Sequence, residues 1–115
     1  MLRQLLEEFL SIEGVRVAAL VGSDGFVIEA AHAASVDTDA LGALTSSAMQ
    51  FFDRGGLSMK MGRTKQLVFE HTDGAIILTP ITEEEFLAII SETRAATGTL
   101  AYVLARTSDR IIAAL

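Results

Sequence analysis

The spacing of apolar residues along the chain predicts alternating helices and strands. Between residues 2 and 11, leucine and phenylalanine recur at helical spacing opposite a charged face, which predicts an amphipathic N-terminal helix. Residues 15–22 are rich in β-branched side chains and apolar on both alternations, as is typical of a central strand covered on both faces. The residues Ser23 to Gly25 predict a tight turn, so residues 26–31 are expected to return as the second strand of a hairpin.

The longest predicted helix runs from Asp37 to about Met61, with Asp37 capping its N-terminus. One side of its 3.6-residue period is expected to face the core and carries the apolar residues Leu41, Leu44, Ala48, Phe51, Phe52 and Gly55. The other side carries mostly small, uncharged residues, namely Gly42, Ala43, Ser46, Ser47, Met49 and Gln50. A solvated helix face would carry Lys and Glu, and small residues let another backbone approach. We therefore predict a helix packed on two sides, the alternative being a core helix covered by its own chain.

The second half of the chain predicts three strands and a last helix. The strands are expected at residues 63–71, 75–79 and 86–90, with Pro80 marking the end of the middle one. Residues 92–98 are predicted to be a loop, followed by an amphipathic helix from Thr99 onward. The complete order is α-β-β-α-β-β-β-α. It predicts an α+β fold with a five-stranded antiparallel sheet and helices on both faces, in one domain spanning residues 1–115.

Composition narrows the class of protein. Half of the 115 residues are hydrophobic and the mean hydropathy is +0.43, which is high for a small monomer, so some apolar surface is expected to be shared with a partner. No apolar run is long enough to span a membrane, and Glu7 and Glu8 fall where a signal peptide would be apolar, so a cytoplasmic location is expected. The net charge of −6 argues against nucleic-acid binding.

The sequence offers little support for catalysis. Cysteine is absent, and His32 and His71 have no second ligand at a metal-binding spacing. Ser23 lies in a predicted turn and not in a nucleophile elbow, and no phosphate-binding glycine motif occurs. The acidic run from Glu83 to Glu85 is interpreted as a solvated loop. We therefore predict a protein that is not an enzyme and has no cofactor or metal.

Four basic residues interrupt this acidic chain. Arg54, Lys60, Arg63 and Lys65 occur with no acidic residue between Arg54 and Phe69. Two interpretations are equally weighted: solubilising charges that protect an exposed strand edge, or a basic rim that steers an acidic partner.

Taken together, these pieces resemble the roadblock family, which comprises dynein light chains and the bacterial gliding-protein-type regulators of Ras-like GTPases. The resemblance rests on the order of elements, on the segments 17–28 and 73–81, and on the long helix with its small residues. It covers nearly the whole chain. Before the last helix the sequence departs from the family pattern, because Thr97-Gly98-Thr99 stands where Asn-x-Gly is usual.

The resemblance implies a homodimer in which the long helix and the following strand, residues 64–70, meet their copies across a two-fold axis. It further implies a binding platform for a small Ras-like GTPase. The interface expected for dimer and partner consists of Ala43, Ser46, Ser47, Met49, Gln50, Arg54, Lys60, Arg63, Lys65, Gln66, Val68 and Glu70. Two other functions stay open: a structural adaptor that tethers larger assemblies, and a small-molecule sensor of the longin or profilin type.

Overall fold

The chain folds into a five-stranded antiparallel sheet with helices on both faces. The structure is a computed structural model that describes residues 1–33, 35–92 and 97–115. Its elements in chain order are α1 (Leu2–Phe9), β1 (Val15–Gly22), β2 (Val27–His32), α2 (Thr38–Ser58), β3 (Leu67–His71), β4 (Gly74–Pro80), β5 (Glu85–Ser91) and α3 (Thr97–Ala114). The predicted α+β class and the predicted order of elements are both confirmed.

The strands follow the spatial order β2-β1-β5-β4-β3. β1 pairs with both β2 and β5, and Ala18 lies opposite Ala31 on one side and Ile89 on the other. β1 is therefore internal, as its apolar residues on both alternations predict. β2 and β3 form the two edges of the sheet.

One face of the sheet is covered by two helices. α1 lies on β1 and β2, and α3 contacts both α1 and β4. The helices bury Leu5, Leu6, Phe9, Leu100, Leu104 and Ile111 against this face. Side by side, the two helices close this face of the sheet.

The opposite face is covered by α2, which packs mainly on β1 and β2. A helix is about 10 Å wide, whereas five strands about 4.8 Å apart span roughly 20 Å. One helix therefore covers about half of the face. Consistent with this geometry, Val17 and Ala19 on β1 are buried, whereas Phe69 on β3 and Ile76 on β4 are half-buried.

The N-terminus of α2 agrees with the prediction. Asp37 is the N-cap, and its carboxylate accepts a hydrogen bond from the backbone N–H of Ala40 at 3.0 Å. This bond satisfies one of the amide groups that the first turn leaves unpaired.

The C-terminus of α2 differs slightly from the prediction, since the helix ends at Ser58 and not at Met61. The amide of Lys60 donates to the carbonyl of Leu57 and the amide of Met61 donates to Gly56, which together form a Schellman motif. This motif needs a left-handed residue at its centre, and Lys60 has φ 61°. The helix therefore ends because the chain turns at Lys60, whereas Gly55 and Gly56 remain helical.

β3 begins at Leu67, so the prediction of a strand from residue 63 onward is wrong for its first residues. The amide of Thr64 donates to the carboxylate of Asp53 on α2 at 2.8 Å. This bond holds residues 63 and 64 against the helix and away from the ladder. Most of the predicted loop at 92–98 lies outside the described residues. Its last two residues are described, and there the prediction is wrong, because α3 begins at Thr97 and not at Thr99. Within the part that is described, no helix is long and apolar enough to cross a bilayer.

Candidate interaction surface

α2 approaches the sheet through small side chains. Gly42, Thr45 and Ser46 are buried, and a Cβ atom on Gly42 would overlap the backbone carbonyl oxygen of Gly25 in the β1–β2 turn. The hydroxyl of Thr45 donates to the carbonyl of Leu41 at 2.7 Å, so its burial leaves no unpaired hydroxyl hydrogen. The small residues therefore let α2 approach the backbone of the β1–β2 turn closely.

This packing corrects the predicted orientation of the helix. Leu44 and Phe51, which were expected to face the core, are 61% and 65% exposed, and Phe52 is also exposed. From the predicted core side, only Leu41 is buried. The prediction was wrong because the backbone that the small residues approach belongs to this chain. Gly42, Ser46 and Met49 of the small side are therefore buried, whereas most of the large apolar residues are exposed.

The same rotation removes two of the predicted interface residues from the surface. Ser46 and Met49 are 6% and 7% exposed and lie in the chain's own core. Ala43, Ser47 and Gln50 are exposed. Gln50 already has one partner, because its side-chain amide donates to the carbonyl of Ser23 at 2.9 Å.

The exposed apolar residues of α2 form part of the candidate interaction surface, although the sequence analysis placed them in the core. A cleft of about 190 Å³ lies between α2 and the strands β3 and β4, with Leu44, Ala48, Phe69 and Ile76 among its walls. We call it the central cleft. The signal that could have located it was Gly42 itself, since a glycine in the middle of a helix often marks the side of closest backbone approach.

β3 contributes the edge of the sheet beside this cleft. It pairs with β4, and no other described strand pairs with it. Val68 and Glu70 are exposed, while Gln66 just before the strand donates to the hydroxyl of Thr79 at 3.3 Å. The backbone groups on the outer side of β3 are therefore available to pair with another strand.

The four predicted basic residues lie at the C-terminal end of α2 and in the loop that leads to β3. Arg54, Lys60, Arg63 and Lys65 are all exposed. Among the ion pairs of the described residues, only the pair between Arg63 and Asp53 involves one of them, at 3.6 Å. The structure thus brings the basic residues to one end of the α2 surface.

Asp53 fixes the loop that carries these charges. Partial burial raises the pKa of its carboxyl, but hydrogen bonds from Thr64 and the charge of Arg63 together outweigh burial, so the pKa lies below its ordinary value of 3.8. Asp53 is therefore a carboxylate at neutral pH and can hold the loop against α2.

The residues considered for catalysis do not assemble into a site. Ser23 and Asp24 form the β1–β2 turn, where Asp24 accepts from the amide of Phe26 at 3.0 Å, and His32 lies at the far end of β2. Across the described ranges, no group of three His, Cys, Asp or Glu side chains could hold a metal ion. The arrangement is suited to contact with other macromolecules through an apolar helix face, a strand edge and a basic rim.

These features define a small α+β domain with one closed and one half-open sheet face. The family model of the Roadblock/LC7 domain matches residues 1–91. The chain therefore belongs to the Roadblock/LC7 family, as the resemblance in its sequence indicated.

Similar proteins agree with this assignment. An uncharacterized protein of Methanocaldococcus jannaschii is 27% identical over 111 residues, covering 96% of each chain. Myxococcus xanthus MglB has a TM-score of 0.88 at 18% identity, covering 99% of this chain and 96% of that one. A Roadblock/LC7 domain from Streptomyces avermitilis has a TM-score of 0.86 at 19% identity, covering 95% and 92%. The two solved structures share the fold of this chain.

Proposed function

We propose that this protein forms a homodimer that binds a small Ras-like GTPase and regulates its nucleotide cycle or its location. Membership of the Roadblock/LC7 family and the likeness to MglB support a regulatory role. The observation that carries the proposal is the half-covered face of the sheet, where apolar side chains of α2 stand beside an open strand edge. In this proposal the whole chain forms one domain, and the protein acts in the cytoplasm.

The half-covered face of the sheet supports a dimer, because a second helix is needed to cover it. One further helix beside α2 would cover β3 and β4, and the α2 of a second copy is such a helix. A two-fold axis near the central cleft would place Leu44 and Ser47 against their copies and pair β3 with the β3 of the second copy. Such pairing would bury Val68 and extend the sheet across the dimer, which removes an exposed edge.

The GTPase would bind the α2 surface of the dimer. Ala43 and Gln50 provide small and polar contacts, and the basic rim of Arg54, Lys60, Arg63 and Lys65 would raise the rate of encounter with an acidic partner. The protein supplies no catalytic residue of its own in this proposal, so any effect on GTP hydrolysis is exerted on the partner's active site.

Light scattering on a Leu44→Glu variant tests the dimer. A buried glutamate would face its own copy across the axis, so we expect at least about a hundredfold weaker dimerisation. Phe26→Glu is the matched control, because Phe26 is exposed and directly precedes β2, the edge strand opposite β3. Dimers that persist in Leu44→Glu and dissociate in Phe26→Glu would contradict the proposed interface.

Affinity capture from host lysate tests the partner, with a non-hydrolysable GTP analogue and with GDP in parallel. Enrichment of a small GTPase in one nucleotide state supports a regulator of its cycle. Equal capture in both states supports a regulator of its location or an adaptor, and hydrolysis rates of the captured GTPase with and without the protein separate these two. A lysate that yields no GTPase under either condition would overturn the proposal.

A further inference from the structure

A second apolar depression lies at the C-terminal end of α2. The helix end and the loop to β3 form the two sides of an open groove of about 510 Å³. Its apolar lining includes Phe51, Phe52, Met59, Met61 and Leu67. We call it the methionine groove, since Met59 and Met61 are 71% and 72% exposed. Methionine side chains are flexible and polarizable, and they adapt to apolar partners of varied shape.

An aromatic contact separates this groove from the central cleft. The ring of Phe52, in the methionine groove, lies 5.9 Å from the ring of Phe69, in the cleft. α2 therefore has two separate apolar depressions along its length. The proposed dimer axis lies near the central cleft and not at the methionine groove.

The charges around the methionine groove have the opposite sign to the protein as a whole. Arg63 lines the groove, Lys60 lies between the two methionines in the sequence, and Lys65 follows Thr64, which also lines the groove. Asp53 is the nearest acidic residue in the sequence, and it is paired with Arg63. The chain carries a net charge of −6. A cationic rim around an apolar groove favours an apolar ligand that is flanked by carboxylates.

The groove is held in shape before any ligand binds. The bonds from Thr64 and Arg63 to Asp53 tie the loop to α2. Lys60 occupies a left-handed backbone position where glycine would be free of strain, so the turn keeps a positive charge beside the two methionines. A preformed groove loses less entropy when a ligand binds.

The described helices of this chain do not offer a matching ligand. α1 is acidic but buries its apolar face, and α3 exposes Arg106 and Arg110. The first turn of α2 has Asp39, but no large apolar residue is exposed before Leu44. A second copy is therefore a poor occupant of this groove.

We propose that the methionine groove binds an acidic amphipathic helix of a partner protein. Apolar side chains on one face of that helix would enter between Phe51 and Met61, and its carboxylates would contact Lys60, Arg63 and Lys65. The groove follows α2 from Phe51 to Met59, about 12 Å at 1.5 Å per residue, which matches about two turns of a partner helix. The inference rests on the proposed function in one respect, because it requires that the proposed dimer leaves the methionine groove uncovered.

Fluorescence anisotropy with two labelled model peptides tests this inference. Both have about 16 residues, roughly four helical turns, with leucines along one face; one carries glutamates elsewhere and the other carries lysines. The net charge of the protein favours the lysine peptide, whereas the groove favours the glutamate peptide. We expect the glutamate peptide to bind at least about tenfold more tightly, with an affinity that falls as salt is raised.

Two double variants locate the binding site. Met59→Ser with Met61→Ser should weaken binding of the glutamate peptide at least about tenfold by removing apolar contact. Lys60→Glu with Lys65→Glu should reverse the preference between the two peptides. Phe26→Ser is the matched control, since it removes an exposed apolar side chain that does not line the groove and should change neither affinity.

Light scattering on the same variants separates this inference from the proposed dimer. Variants that stay dimeric and lose the glutamate peptide support the inference. If the methionine variant becomes monomeric, the second copy occupies the groove and the inference is overturned. Preference for the lysine peptide in the unmodified protein would overturn it as well. The peptide result is independent of GTPase capture, so each proposal can fail alone.

Discussion

The two faces of the sheet show how differently one chain can bury apolar surface. On the face of α1 and α3, two helices lie side by side, and the largest core residues, such as Leu6, Leu104 and Ile111, are fully buried. On the face of α2, one helix covers β1 and β2 and leaves Phe69 and Ile76 half-buried. The first face is complete within one chain, whereas the second has room for another helix.

The difference lies in the width of the elements and in which side chains they use. Gly42, Thr45 and Ser46 of α2 are buried against the chain's own core, and a single helix covers only a narrow part of the sheet. The larger residues Leu44 and Phe51 remain exposed to solvent. Because small residues make part of this contact, few of the large apolar side chains of α2 are buried in the chain's own core. Those that remain are free to contact partners.

The largest expected difference between the faces is in the cost of deleting a leucine. Leu6→Ala removes a fully buried side chain from the closed face and should lower the free energy of unfolding by about 2–5 kcal/mol. Leu44→Ala should change that free energy by less than about 0.5 kcal/mol, because the side chain is exposed in one protomer. Urea unfolding of dilute, monomeric protein measures both values. Equal costs would mean that the chain covers Leu44 by itself.

The next effect tests the close approach of α2 to its sheet. Gly42→Val should lower the free energy of unfolding by about 2–3 kcal/mol, because the new side chain overlaps the carbonyl of Gly25. Gly55→Ala is the control on the same helix. No atom lies near its added methyl group, so it should raise the free energy of unfolding by about 0.5–1 kcal/mol through better helix propensity. A tolerated valine would show that α2 is not held close to the turn.

A smaller effect of opposite sign is expected where α2 ends. Lys60→Gly should raise the free energy of unfolding by about 0.5–1 kcal/mol, since glycine adopts the left-handed conformation without strain. Thermal unfolding of this variant beside Lys60→Ala, which keeps the strain, measures the gain. A stabilised Lys60→Gly variant that binds the glutamate peptide less well would show that the lysine is kept for binding and not for stability.

The smallest effect concerns the pH dependence of the loop contact. The pKa of Asp53 is lowered in the folded protein, so its contribution to stability is present above the ordinary value of 3.8 and is lost as the pH falls through the lowered value. The stability difference between the unmodified protein and Asp53→Asn should therefore be larger at pH 7 than at pH 2.5. A difference that does not change with pH would show that Asp53 acts without its charge.

By itself, the sequence determined the elements and their order. Turn residues such as Ser23 to Gly25, the cap at Asp37 and the alternation of apolar residues in the strands are local signals, because each acts through contacts within a few residues. Together they were enough to predict the sheet, its helices and the family. The basic residues from Arg54 to Lys65 were also visible as a group from their order along the chain.

Only the tertiary structure decided which side of α2 faces inward. A helix with large apolar residues on one side and small ones on the other can bury either, and the choice depends on how closely the backbone it meets can approach. Here that backbone is the turn at Gly25, which is 17 residues before Gly42 in the sequence and in contact with it in the fold. Such a contact leaves no periodic signal, so the exposed Leu44, Phe51 and methionine groove could be recognised only in three dimensions.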